Sequence, residues 1–335
     1  MSETTWPIFT GHGEFAGQRI ELPPAPSWRP CGSKDAAKDP PTDQPDREGL
    51  AGVSDDKVVN MVNAAITLRR PLLVTGQPGS GKSTLARLIA RELGLGPVLR
   101  WAITSRSRLD DGLYDYDAIG RVHEENRLAR EGGGQQSDIG DFIRLGPLGT
   151  ALLPWTLPRV LLIDEIDKSD IDLPNELLHV FEDGSFTIRE VTRLAPRQLP
   201  VRVMTSDTTA VGGANDWRAD VGNGEVRCAE FPIVVMTSNG ERDFPPAFLR
   251  RCLRLHLEPM DSDQLRKVVD SRISGARDVE ELIERFEQGG TGPGRSLATD
   301  QLLNAVFVLT SANFENDVTR TTVRDALLAE PGTLP

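Results

Sequence analysis

Cysteine is scarce in this chain. Cys31, Cys228 and Cys252 are widely spaced and form no C-x-x-C pair. An odd, scattered set argues against a disulfide framework and offers no zinc-ligand spacing. Long apolar runs are missing too, and no stretch approaches the roughly 20 residues needed to span a bilayer. The opening residues, Met1-Ser-Glu-Thr-Thr-Trp6, lack the basic start and apolar core of a secretory signal. A cytoplasmic protein without a membrane partner is therefore expected. Positive charge is in deficit, with 38 Lys and Arg against 50 Asp and Glu and a net charge of −12. That balance argues against nonspecific binding to nucleic acid or an anionic membrane. The arginines at 100, 106 and 108 read as solvated or phosphate-facing surface. No internal repeat and no N-K-x-D base-reading motif is present.

What is there suits a folded, soluble protein: 335 residues, 38% hydrophobic and 26% charged. This is enough for about two domains with a substantial core. Residues 1–48 are rich in Pro, Gly and charge, and read as an extended arm or linker. Its aromatics Trp6, Phe9, Phe15 and Trp28 argue against pure disorder. Three fates stay open for the arm: docking a partner, covering a neighbouring subunit, or disorder. Ser54 looks like a helix N-cap ahead of apolar residues at helical spacing. From there strands and helices alternate, the pattern of a parallel α/β sheet. Strand candidates are Leu72–Val74, Val98–Ile103, Val160–Ile163 and Ile233–Thr237. Between Gly184 and Phe231 the alternation breaks, with short β-like pieces at 185–192 and 199–204. After Met260 the pattern turns helical, over 264–273, 278–288 and 296–310. We therefore divide the chain into the arm, an α/β nucleotide-binding domain over 49–258, and a small all-helical domain over 259–335.

Residues 76–83 read Gly76-Gln77-Pro78-Gly79-Ser80-Gly81-Lys82-Ser83, a complete G-x-x-x-x-G-K-[ST] loop. An apolar run precedes it and a helix-like stretch, Thr84–Leu93, follows. Strand, loop and helix together separate a phosphate site from an ordinary Gly-rich turn. Glycines let backbone N–H groups turn toward phosphates, and the helix start adds partial positive charge there. Lys82 would reach the β- and γ-phosphates, and Ser83 would hold Mg²⁺ through its hydroxyl. Thr84 completes the set of nucleotide contacts. The spacing predicts a nucleoside triphosphate ligand.

Val160-Leu161-Leu162-Ile163-Asp164-Glu165 is an apolar run ending in acids, suited to a central parallel strand buried on both faces. Its acidic end falls at the crevice where open α/β sheets bind ligands. Asp164 would assist Mg²⁺, and Glu165 would orient or deprotonate the attacking water. A second buried-strand pattern ends at Asn239, where a side-chain amide can bond the water or the γ-phosphate. Asn in such a place is otherwise a turn residue. Phe244-Pro-Pro-Ala-Phe-Leu-Arg250-Arg251 then carries two adjacent arginines. Paired arginines are more often plain surface charge, but a guanidinium can also stabilise a transferring phosphoryl group, in some NTPases from a neighbouring subunit.

Together these motifs resemble the AAA+ ATPases, and among them the MoxR family. The resemblance covers about residues 50–330, leaving the arm outside. It identifies Walker A with Gly76–Ser83, Walker B with Leu161–Glu165 and the sensor 1 residue with Asn239. It also implies an arginine finger at Arg251 with Arg250 beside it. Gly292-Pro-Gly-Arg295 resembles the sensor 2 segment, with Arg295 touching the γ-phosphate of its own subunit. Residues 113–121 and 164–185 fit the same family. The implied protein is a P-loop α/β core with a helical lid that hydrolyses Mg-ATP between subunits of a homo-oligomeric ring, usually a hexamer. Relatives remodel partner proteins, often alongside one bearing a von Willebrand A domain. In the family, Gly184–Ile188 would begin a β-hairpin inserted into the second helix and facing the ring's pore. Lys168 stands where many relatives carry Arg, Cys252 where Phe is usual, and the 184–231 insert is longer than the pattern calls for. Two rival readings remain: a slow nucleotide-controlled switch, and a restriction-type GTPase or nucleic-acid motor. The acidic balance speaks against the motor.

Overall fold

A computed structural model describes residues 6–15, 21–29, 38–41, 52–53, 55–131, 137–194, 196–208, 216–273, 275–276, 279–289, 299–312 and 317–328. Cys31, Ser54 and Arg295 lie outside the described residues. The first strands are β1 (Leu72–Gly76), β2 (Leu99–Ala102), β3 (Tyr114–Tyr116), β4 (Ile143–Leu145) and β5 (Val160–Asp164). They are followed by β6 (Ser185–Thr187), β7 (Val201–Met204), β8 (Arg218–Val221) and β9 (Glu225–Arg227). The last are β10 (Ile233–Ser238) and β11 (Leu253–Leu257).

Five strands make the central sheet in the order β11-β1-β10-β5-β2. Every pairing in it is parallel. The inner strands β5 and β10 are buried along their whole length, whereas the edge strand β2 alternates buried and exposed residues. This is how apolar runs sort between the middle and the rim of a sheet covered on both faces. All four strand candidates belong to it. The fifth member, β11, was not expected, because Leu-Arg-Leu-His-Leu reads as a short, one-sided pattern.

The helix Asp56–Leu68 starts one residue later than Ser54 implied: Asp55 is its N-cap and accepts from Lys57 N at 2.8 Å. Beyond the sheet, the capping box of Asp261 and Gln264 opens helix Ser262–Arg272. Helices Val279–Gly289, Thr299–Ser311 and Asp317–Leu327 follow. Their apolar faces share a separate small core built on Leu265, Val269, Leu282, Leu302 and Val306. The final helix of this group was absent from the sequence reading.

The segment after Gly184 differs from the expected hairpin. Helix Asp172–Asp183 ends there, with Gly184 in the left-handed region at φ 60°. β6 does pair antiparallel, but its partner is β9 at the far end of the insert. Between them β7 and β8 extend a second sheet of order β3-β4-β7-β8. Another excursion, whose described residues are 114–131 and 137–145, leaves and returns to one place in the fold. Short helices Leu109–Leu113 and Pro147–Ala151 flank it, and Gly146 N donates to Leu113 O at 2.9 Å to close the gap. Register across sheets, not local periodicity, decides which strand returns to which.

Within the arm, residues 8–13 pack on the chain's own core, whereas Trp6, Phe15 and Trp28 stay largely exposed. Phe9 is fully buried in the core formed by Val58, Val62, Leu85 and Leu88. Asn63 Oδ1 accepts from Ile8 N and Phe9 N at 2.7 and 2.9 Å, and Asn63 Nδ2 donates to Phe9 O at 2.7 Å. The Glu92 carboxylate accepts from Thr10 Oγ1 at 2.8 Å, Gly11 N at 3.1 Å and Gly13 N at 3.0 Å. Buried carboxylates need such partners. Here the arm supplies them.

Candidate functional site

The phosphate loop leaves β1 at its C-terminal edge and enters helix Lys82–Glu92. Gly76 has φ 153°, and a Cβ there would lie 2.6 Å from Leu257 O. Gly81 has φ 85° and is the N-cap of the helix. Only glycine takes this path without strain. Lys82 Nζ donates to Gly76 O at 2.8 Å and Gln77 O at 2.7 Å, so the ammonium lies in the lap of its own loop. Burial is the strongest influence on it and holds it below the usual lysine range. The carboxylates of Asp167, Asp164 and Glu165 pull the other way. Ser80 Oγ is buried and has no hydrogen-bond partner among the described residues.

β5 delivers Asp164 to the same edge. Its Oδ1 accepts from Ser83 Oγ at 2.8 Å and Thr237 Oγ1 at 2.7 Å, and its Oδ2 pairs with Arg100 Nη2 at 2.6 Å. Burial alone would raise this carboxyl's pKa. The hydrogen bonds from Thr237, Ser83 and Arg100 outweigh it and hold the group below the usual range, hence ionised. Glu165 has φ 61°, an unusual value for a side-chain-bearing residue. Its N–H is pinned to Thr237 Oγ1 at 2.8 Å, and Lys168 Nζ holds its Oε2 at 2.8 Å. Asp167 Oδ2 accepts from Asn239 N at 2.8 Å and Glu241 N at 3.1 Å, which fixes the loop beyond β10.

Lys82, Ser83, Thr84, Asp164, Glu165 and Asn239 all line one cavity of about 710 Å³. Val53 and Val58 form part of its wall, and the helical region contributes Gln264, Lys267 and Thr299. Thr299 Oγ1 donates to Gly79 O at 2.6 Å, a direct tie between that region and the loop. The pocket has the size and polarity of a nucleotide site. A glycine cradle, a lysine aimed into it and a hydroxyl–carboxylate pair suit a triphosphate with Mg²⁺.

Arg250 and Arg251 are not in this cavity. They end helix Pro246–Arg251, just before β11. Register pairs Leu253 with Leu72 and Leu257 with Gly76, so the arginines sit at the N-terminal edge of the sheet and the loop at the other. Four residue steps at about 3.3 Å each put about 13 Å of strand between those edges. Arg251 forms an ion pair with Glu182 and reaches Ala247 O at 3.4 Å.

Several contacts in the site went unread in the sequence. Thr237 joins Asp164 to Glu165, and its only signal was a polar residue closing an apolar strand. Arg100 meets Asp164 because β2 lies next to β5, a neighbour relation no local pattern carries. Lys168 and Asp167 were visible as charges, but not as partners of Glu165 and the Asn239 loop.

No curated protein matches the sequence. Among solved structures, NtrX from Brucella abortus in complex with ADP is similar with a TM-score of 0.41 and 15% identity. That similarity covers 83% of this chain and 55% of the other, so this chain spans just over half of that protein's length. Residues 71–252, more than half of the chain, match the AAA domain model of the dynein-related subfamily. That span runs from the residue before β1 to the last residue before β11 and includes the phosphate loop, Asp164, Glu165, Asn239 and Arg251. The chain belongs to the AAA domain family, dynein-related subfamily.

Proposed function

We propose that the chain is a MoxR-type AAA+ ATPase of the cytoplasm, which hydrolyses Mg-ATP between subunits of a homo-oligomeric, hexameric ring and remodels a partner protein, such as one with a von Willebrand A domain. One observation carries this reading: the sheet register that sets Arg251 on the edge opposite its own phosphate loop. A guanidinium at that edge serves a triphosphate only when a second copy brings one to it.

Within one subunit, loop amides and Lys82 would hold the phosphates, while Ser83 and Asp164 would hold Mg²⁺. The bound cation neutralises phosphate charge. Glu165 would accept a proton from the attacking water, and Asn239 would orient that water or the γ-phosphate. Arg251 of the neighbour, with Arg250 beside it, would stabilise charge on the leaving group. Arg295 keeps its proposed role as the lid residue facing the same phosphate.

A slower, switch-like enzyme is the second reading, and specific contacts favour it. Lys168 pairs with Glu165, and Arg100 pairs with Asp164. Both pairs would compete with the water-activating and cation-holding roles of these carboxylates and so slow turnover.

ATP turnover measured against protein concentration tests the ring, with size-exclusion mass analysis in ATP. Turnover per subunit should rise with assembly, and Arg251→Ala should abolish it while leaving ATP bound. Turnover independent of concentration, or a silent Arg251→Ala, would leave a monomeric switch as the better account.

A further inference from the structure

A second cavity, of about 600 Å³, opens at the sheet edge that carries Arg250 and Arg251. Among the described residues its charged lining is Arg29, Arg70, Arg250 and Arg251 with the carboxylate of Glu182. Such a surplus is out of character for a chain of net charge −12. Two further segments join the helix that ends in Arg250 and Arg251. Arg70 comes from the turn before β1, and Trp28 with Arg29 comes from the N-terminal arm. The arm residue is held in place: Arg29 Nη1 donates to Phe181 O at 3.2 Å, and its guanidinium lies 5.7 Å from the centre of the Phe231 ring. Trp28 stands at the rim with 74% of its surface exposed. An indole left in water beside clustered guanidinium groups is an unfilled contact surface.

We propose that Trp28, Arg29 and Arg70 belong, with Arg251, to a receptor for the triphosphate that a second copy of this chain carries in its phosphate loop. The inference rests on the shared-site reading above and extends it to the N-terminal arm. The occupant is chosen by charge: the nucleotide cavity of a second copy presents phosphates together with Asp164 and Glu165, the anionic face this cationic pocket complements. Arg29 and Arg70 are positioning residues that orient the incoming phosphates. Glu182 is the placeholder, neutralising Arg251 until phosphate oxygens replace its carboxylate. Trp28 covers the edge of the joint and keeps water from it.

Mixed assemblies of the full chain test this. The acceptor is Arg251→Ala, which binds ATP but lacks its finger. The donor is Lys82→Ala, which lacks the phosphate grip but keeps the finger and the arm. Mixing the two should restore turnover. Adding Arg29→Ala or Arg70→Ala to the donor should lower that restored rate about 10-fold or more, the scale of one lost charge-assisted bond. Placing either substitution in the acceptor should not. Arg29→Lys in the donor should recover part of the rate, which separates lost charge from a detached arm. Arg70 lies outside the arm, so its variant answers even if Arg29→Ala loosens the segment.

If restored turnover is indifferent to Arg29 and Arg70 in the donor, or if the loss follows the acceptor, this inference is overturned and the shared site stands. If the intact donor restores nothing, the shared site itself fails and the inference with it.

Discussion

Replacing Phe9 by Ala separates an arm that is part of the folded module from one that is a linker. Phe9 is fully buried and touches the core of helices Asp56–Leu68 and Lys82–Glu92. Truncating a buried Phe to Ala costs about 3–5 kcal/mol, from lost transfer energy plus the cavity left behind. Each kcal/mol moves the melting temperature of a domain this large by about 2–4 °C. A drop of about 6 °C or more is expected in a thermal melt followed by circular dichroism. If the segment peeled away, Asn63 Oδ1 would lose Ile8 N and Phe9 N and the Glu92 carboxylate would lose Gly11 N and Gly13 N, while Asn63 Nδ2 would keep Val59 O of its own helix. Limited proteolysis should therefore cut the variant near residue 10 faster than the parent chain. Ile119→Ala, at a side chain 72% exposed, is the control and should stay within about 0.5 kcal/mol. A Phe9→Ala melt indistinguishable from this control would sink the claim that the arm is structural.

Glu165→Gln should leave ATP binding intact and lower turnover by about 10²–10⁴-fold, the usual value of a general base; equal losses of binding and turnover would contradict that role. Arg159→Ala should cost about 3–5 kcal/mol, because it leaves Asp207 as an uncompensated buried charge. Arg159 is fully buried, bonds Asp207 at 2.7 and 2.9 Å and reaches Pro97 O at 3.0 Å, so it ties the 184–231 insert to the main sheet; urea unfolding measures the loss. Burial pushes the Cys252 thiol up to about 12. It should resist a thiol reagent at neutral pH in the folded chain and react fully once unfolded. Lys82 carries a depressed folded pKa against an ordinary value of 10.5. In the window just below that value the unfolded chain binds the extra proton, so stability from this group rises with pH, and Lys82→Met should abolish the rise in ligand-free melts.

The site was legible wherever chemistry is written in consecutive residues. The phosphate loop needs glycines, a lysine and a hydroxyl at fixed offsets, and the structure assembles them as spaced. The acidic end of β5 and the polar end of β10 were equally plain, because an apolar run that stops in polar groups marks a strand end at a crevice. Composition argued against a disulfide scaffold, and alternation of strands and helices set the fold class. Strand β11, the returning partner of β6 and the anchoring of Phe9 were not readable. Each depends on contacts between residues far apart in the chain: Leu253 beside Leu72, Ser185 beside Arg227, Phe9 beside Asn63. Periodicity reports which face of an element is apolar, never which distant element covers it. By itself, then, the sequence determined the nucleotide loop, its acids and the parallel α/β class, since these follow from local stereochemistry and burial pattern. Only the tertiary structure decided that Arg100 meets Asp164, that the arm closes over the core, and that Arg251 stands across the sheet from its own loop. Those are matters of strand order and register, and the sheet fixes them only when all five strands are in place.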